Sequence, residues 1–241
     1  MFKLTILCSF ILILTVLNGG SAKVAPSYIK TCPGLKSDCL KKVVQETLPL
    51  FANGIPELGV DSIDPLRQDN VNVILPGGFK VEFRNGTMTG LRKCNELIDF
   101  RYKDEEADLK MHCDLNIKGM YKANGRILIV AINGDGNAKI KIKNAALHAK
   151  IKFEDKVRDG VVYHEVKTID ITQNYGDRVI FGLTNLFKGN PELTVLQFLN
   201  QNWKQVSEEF GKPLVDKLVD IVYKIVKRFF EAIPKDELIV Q

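Results

Sequence analysis

The chain has 241 residues, 45% of them hydrophobic and 26% charged, with a formal net charge of +5. That length suits one large domain once a leader is removed. The positive charge is small and scattered, which excludes a nucleic-acid binder and leaves lysine-rich solvated faces, with at most a weak pull toward anionic membranes.

Residues 1–22 read as a secretion signal. Lys3 supplies the positive start, Leu4 to Leu17 are almost wholly apolar, and Gly20-Ser21-Ala22 offers small residues for cleavage before Lys23. The apolar run is too short for a bilayer span, which needs about 20 residues. The mature domain is then 23–241, and its charge falls from +5 to +4 with the loss of Lys3. Lys235-Asp236-Glu237-Leu238 spells an endoplasmic-reticulum retention signal, but Ile239-Val240-Gln241 follow it and such an address is read at a free end. Release outside the cell is expected.

Cys8 leaves with the signal. Cys32, Cys39, Cys94 and Cys113 remain, an even set in an oxidising compartment. Cys32 and Cys39 flank a Pro33-Gly34 turn and should close a small loop, stapling the first helix. That helix is predicted from about Asp38 to Phe51. Leu40, Val43, Val44, Thr47, Leu48 and Phe51 form its stripe, Pro49 kinks or ends it, and Asn53-Gly54 marks its stop.

A run of strands is predicted over about 68–187. Turn signals stand at Pro76-Gly77-Gly78, Asn85-Gly86, Asn124-Gly125, Asn133-Gly134-Asp135-Gly136, Asp159-Gly160 and Tyr175-Gly176-Asp177. From Leu109 to Tyr121 every second residue is apolar or small. Folding back near Lys103-Asp104 would set Cys94 opposite Cys113, Glu96 opposite Met111, Ile98 opposite Leu109 and Phe100 opposite Ala107. A cross-strand disulfide is expected. Two buried free thiols are the alternative, and zinc is disfavoured because no CxxC spacing occurs and His112 falls on the face opposite Cys113. Between Lys139 and Phe153 the apolar phase slips at Asn144, which predicts a β-bulge in a long, bent strand. Such strands make a curled antiparallel sheet.

Asn190 and Pro191 should start a helix carrying Leu193, Leu196, Trp203, Val206 and Phe210. Pro213 should start a second, about twenty residues and 30 Å long. Its stripe is Leu214, Val215, Leu218, Val219, Val222, Ile225, Val226 and Phe229, with Lys224, Lys227 and Arg228 on the other side. The fold class is α+β, a long curled antiparallel sheet wrapped around a long C-terminal helix.

The order Cys-x6-Cys, Leu48-Pro49-Leu50-Phe51-Ala52-Asn53-Gly54-Ile55-Pro56-Glu57-Leu58-Gly59 and Ile63-Asp64-Pro65-Leu66 resembles the insect takeout and haemolymph juvenile-hormone-binding proteins. So do Gly119 to Ile129, Asn133-Gly134-Asp135-Gly136 and the ending Phe230 to Leu238. The resemblance runs in order from about Cys32 to Leu238 and favours a takeout-like member. It implies a lipid-binding, TULIP-like fold, secretion, a tie to circadian rhythm, and an apolar small molecule held in an internal tunnel. It also implies Tyr121 as a polar contact, with a core tyrosine bonded to backbone as the alternative.

Catalysis has no motif here. Ser27, Ser37, Ser62 and Ser207 lie in no Gly-x-Ser-x-Gly, and His112, His148 and His164 lack metal spacing. No enzyme, cofactor or metal is expected. Asn85-Gly86-Thr87 is a glycosylation sequon on an Asn-Gly turn. The expected function is a secreted carrier of a small lipophilic ligand such as a terpenoid hormone or fatty acid. The expected walls are Phe79, Val81, Phe83, Phe100, Leu115, Ile117, Tyr121, Leu218, Val222, Ile225 and Phe229, with no stable membrane insertion and no protein partner assigned. The alternative is an extracellular signalling or membrane-surface protein with a structural lipid, suggested by Lys224, Lys227 and Arg228.

Overall fold

The computed structural model describes residues 23–94, 96–187 and 192–240. The signal segment and the Asn190-Pro191 helix start lie outside the described residues.

Chain entry is pinned at both ends of the domain. The amides of Val24 and Ala25 donate to the Glu237 carboxylate at 3.1 and 2.6 Å. Cys32 and Cys39 are bonded, and the helix they staple, α1, runs Ser37–Phe51. Pro49 neither kinks it early nor ends it at once. It sits in the last turn, where the helix continues to Phe51. Asn53 Nδ2 donates back to the Pro49 carbonyl at 3.2 Å, and Gly54 adopts φ +85. A side chain at Gly54 would strike the Val60–Ser62 backbone at 2.8 Å, so glycine lets that loop fold back against the helix end. Asp64 then ties the loop to the sheet, accepting from the Gly90 and Arg92 amides at 2.9 and 2.7 Å.

Among the described residues eight strands form one antiparallel sheet: β1 Leu66–Gln68, β2 Val71–Leu75, β3 Phe79–Thr89, β4 Glu96–Lys103, β5 Glu106–Ile127, β6 Val130–Arg158, β7 Val161–Asn174 and β8 Arg178–Leu183. The central path is β1-β3-β5-β6-β7. β2 pairs with β3, β4 with β5 and β8 with β6. At 22 and 29 residues, β5 and β6 far exceed the usual strand of three to ten. Strands this long must bend, and bulges bend them. The register slips where Lys143 and Asn144 oppose the single residue Asp114, with Asn144 at φ +54. Asp114 holds the bulge by accepting from the Asn144 amide at 2.8 Å and from Lys143 Nζ at 2.5 Å. Those two bonds also keep the Asp114 carboxyl below its ordinary range.

Several Asn-Gly pairs expected to turn the chain do not. Asn85-Gly86 is a bulge inside β3, with Asn85 exposed at φ +50. Asn124-Gly125 lies within β5 and Asn133 to Gly136 within β6. Their glycines serve close approach instead. A Cβ on Gly136 would lie 2.1 Å from the Thr184 carbonyl, because the chain leaving β8 crosses directly over β6 there. The β5–β6 reversal is made at Leu128-Ile129, with Leu128 at φ +53. Asp159-Gly160 does turn as expected, linking β6 to β7.

The β4–β5 hairpin also differs from expectation. Its turn is Asp104-Glu105, both at positive φ, so Phe100 faces Leu109 and Tyr102 faces Ala107. A register shift between Leu97 and Asp99 then restores the offset toward the cysteines. Cys94 and Cys113 are bonded with Cα atoms 4.4 Å apart.

The expected helix 191–210 is two helices, α2 Glu192–Gln201 and α3 Trp203–Phe210, broken at Asn202. Asn202 leaves the helical region (φ −101, ψ 25), and its side chain donates to the Phe198 carbonyl at 2.9 Å. α4 runs Lys212–Ala232 along the concave side of the sheet, and a short α5, Lys235–Leu238, closes the chain. Lys-Asp-Glu-Leu is thus folded structure, with Lys235 and Glu237 both engaged.

Candidate functional site

Two features of the packing show that the interior is hollow. α1 carries an apolar stripe yet has no buried residue. α4, 21 residues long and lying in the curl, buries only Ile225 and Phe229. Helices packed flush on a sheet would bury far more of their apolar faces. The space they leave is a cavity of about 640 Å³ between sheet and helices.

Small inward residues on the two longest strands make this room. Ala123, Ala138, Ala145 and Ala149 are all buried and all line the cavity. Along α4 the lining runs from Leu214 to Phe230, about 24 Å of helix. The two ends differ. At one, Leu199, Val206 and Phe210 close against Phe79, Tyr121 and Ile132. At the other, Phe100, Phe153, Val226 and Phe230 gather.

Most of the expected wall is on the cavity. Phe79, Val81, Phe83, Phe100, Leu115, Ile117, Tyr121, Leu218, Val222 and Phe229 all line it. Ile225 does not belong there. It is 6% exposed and packs in a second core with Ile55, Val60 and Ile233, under the N-terminal segment. Phe83 has a berth because Gly86 and Gly119 lie beneath its ring, where added Cβ atoms would come within 2.9 and 2.6 Å of it. The Tyr121 hydroxyl donates to the Thr184 carbonyl at 2.8 Å while the residue also lines the cavity. The α1 stripe, including Val43, Val44, Thr47 and Phe51, also faces the cavity. Its helical periodicity was visible in sequence, but nothing local said that it faced a void.

Sequence reading missed a polar chain at the phenylalanine-rich end. His164 is fully buried. Its Nδ1 lies 2.7 Å from Asp155 Oδ1, its Nε2 lies 2.6 Å from the Tyr102 hydroxyl, and its ring stacks on Phe153 at 4.5 Å. Lys235 Nζ donates to the other Asp155 oxygen at 2.5 Å. Burial works to raise the Asp155 carboxyl, but hydrogen bonds from Lys235 and His164 outweigh it and hold it below its usual range. Burial, aided by the Glu105 and Asp155 charges, pushes the Tyr102 phenol up to about 12. That direction is opposite to what an activated tyrosine nucleophile needs. His112 and His148 sit apart, His112 on Asn144 at 2.6 Å and His148 on Asp108 at 3.0 Å. Among the described residues no group of His, Cys, Asp and Glu could hold a metal.

The basic face of α4 is partly spent. Lys227 pairs with Glu231 at 3.7 Å, and the Arg228 guanidinium lies over Gly59. Among the described residues no helix is long and apolar enough to cross a membrane.

A curled sheet closed by helices around an apolar hollow defines a fold of the lipophile-binding class. The comparisons agree, and the chain belongs to the haemolymph juvenile hormone binding protein family, whose model matches residues 8–240. It is similar to the circadian clock-controlled protein daywake of Drosophila melanogaster, 26% identical over 229 residues covering 88% of this chain and 87% of that protein. The Drosophila yakuba daywake is 25% identical over 228 residues, with the same coverage. The crystal structure of Epiphyas postvittana Takeout 1 superposes with a TM-score of 0.82 at 36% identity, covering 88% of this chain and 99% of that one.

Proposed function

We propose that the protein is a secreted, non-catalytic carrier that holds one small lipophilic molecule in its internal cavity. The observation that carries the reading is the cavity of about 640 Å³ walled almost entirely by carbon. A guest of about twenty heavy atoms hiding roughly 400 Å² of apolar surface would gain about 10 kcal/mol before the costs of immobilisation. A dissociation constant between micromolar and nanomolar follows. The two disulfides fit an oxidising compartment, which supports export by the residue 1–22 signal. Exposed Asn85 stands open to glycosylation.

The test is titration of the purified protein with a fluorescent fatty acid, followed by native mass spectrometry of protein from its secretory source. Saturable, salt-insensitive binding with a small apolar molecule in the native mass supports the carrier. Binding only to anionic vesicles, lost when Lys224, Lys227 and Arg228 are neutralised, replaces it with a membrane-surface role.

A further inference from the structure

The cavity wall is mostly apolar, and Tyr102 and His164 stand together among its few polar groups, with Gln173, Asn174, Tyr175 and Ser207 among the others. That pair is built, not incidental. His164 has no exposed surface and so acts from behind, while Tyr102 is only part-buried and stands at the wall. Four separate elements hold the chain of groups: Tyr102 comes from β4, Asp155 from β6 and His164 from β7, facing each other across the hairpin, and Lys235 from α5.

The directions of the hydrogen bonds follow from the chain's far end. Asp155 accepts from Lys235 and is ionised, so it can only accept from the ring. A neutral imidazole in this place therefore carries its proton on Nδ1 and leaves Nε2 as an acceptor, to which the Tyr102 O–H, 2.6 Å away, donates. The Tyr102 oxygen has donated its one proton and keeps acceptor capacity.

We propose that Tyr102 is an anchor for the hydroxyl-bearing end of the guest, so that the cavity selects lipids ending in an O–H donor, a long-chain alcohol or a protonated acid, over those ending in an ether or ester. His164 is a positioning residue, fixing which way the phenol points. A guest lacking a donor leaves the Tyr102 oxygen facing its terminal oxygen with no proton between them. This inference rests on the carrier reading.

The test is displacement of the fluorescent probe N-phenyl-1-naphthylamine by two matched molecules, 1-hexadecanol and its methyl ether. The wild type should bind the alcohol about five- to tenfold more tightly, the value of one neutral hydrogen bond. Tyr102→Phe should bring that ratio to about one while leaving the ether's affinity within about twofold. If the wild type binds both equally, or if Tyr102→Phe weakens both alike, the anchor is overturned and the carrier stands. If neither molecule displaces the probe, the carrier reading falls with it. The wild-type ratio decides the matter even if Tyr102→Phe fails to fold.

Discussion

Filling the hollow is the sharpest test of whether it exists in solution. Ala149 is 8% exposed, lies on β6 directly opposite Leu109, and lines the cavity. Ala149→Phe would project a ring into the space. A phenylalanine side chain can bury roughly 150–250 Å². If about 100 Å² of that is wall the guest would otherwise touch, the guest loses about 2.5 kcal/mol, or roughly 70-fold in Kd. The same ring enters a void, so the fold should be unharmed or slightly firmer. In a filled core the added volume would instead cost about 1–3 kcal/mol through overpacking, a fall in Tm of about 2–4 °C for each kcal/mol in a domain this size. Two measurements separate the cases: titration with a fluorescent fatty acid and a thermal melt without ligand. Weaker binding at unchanged Tm supports the hollow. Unchanged binding with a Tm lowered by 5 °C or more refutes the reasoning, because the space would then be occupied and the guest elsewhere.

Three further outcomes are expected. Cys94→Ser with Cys113→Ser opens a loop with a sequence separation of 19, which should cost about 3 kcal/mol and lower Tm by about 6–12 °C in calorimetry. Gly136→Ala should cost about 3 kcal/mol, since its Cβ would lie 2.1 Å from the Thr184 carbonyl; Gly182→Ala, with its nearest neighbour at 3.3 Å, should change Tm little. Asp155 is held below its ordinary range in the folded state, so it stabilises the fold above about pH 4 and that contribution fades as pH falls through its folded value. Its side chain is 36% exposed, which tempers the effect. Asp155→Asn should therefore cost about 1–2 kcal/mol in urea denaturation at pH 7, with the gap to wild type narrowing as pH falls below about 4; a gap that widens on acidification would overturn the assignment.

Much of the frame was legible because it rests on periodicity. The phase slip at Asn144 located the bulge, and the stripe after Pro213 located α4. Asn-Gly pairs misled, for a physical reason. In short strands they make tight turns, but in strands as long as β5 and β6 glycine serves to admit a crossing backbone, as at Gly136, or a ring, as under Phe83. The real β5–β6 turn at Leu128 carries no glycine at all, and no local rule would have chosen it.

The polar chain was half legible. Asp159-Gly160 was recognised as a turn, and a two-residue turn there mirrors the strands about itself. It places Arg158 against Val161 and, carried outward, Asp155 against His164. Neighbours along a strand point to opposite faces, so the carboxylate that meets His164 comes from across the hairpin and not from adjacent Glu165. Tyr102 was harder, because its place depends on a hairpin turn at Asp104-Glu105 and on the meeting of two separate hairpins. The hollow itself was legible only as a pattern of size. In a period-two pattern Ala145 and Ala149 count simply as apolar. Apolarity says which face a residue takes, whereas volume says whether that face meets its partner. A wall that sets Ala123, Ala138, Ala145 and Ala149 against a helix rich in valine and leucine leaves space that side chains of this sequence cannot fill.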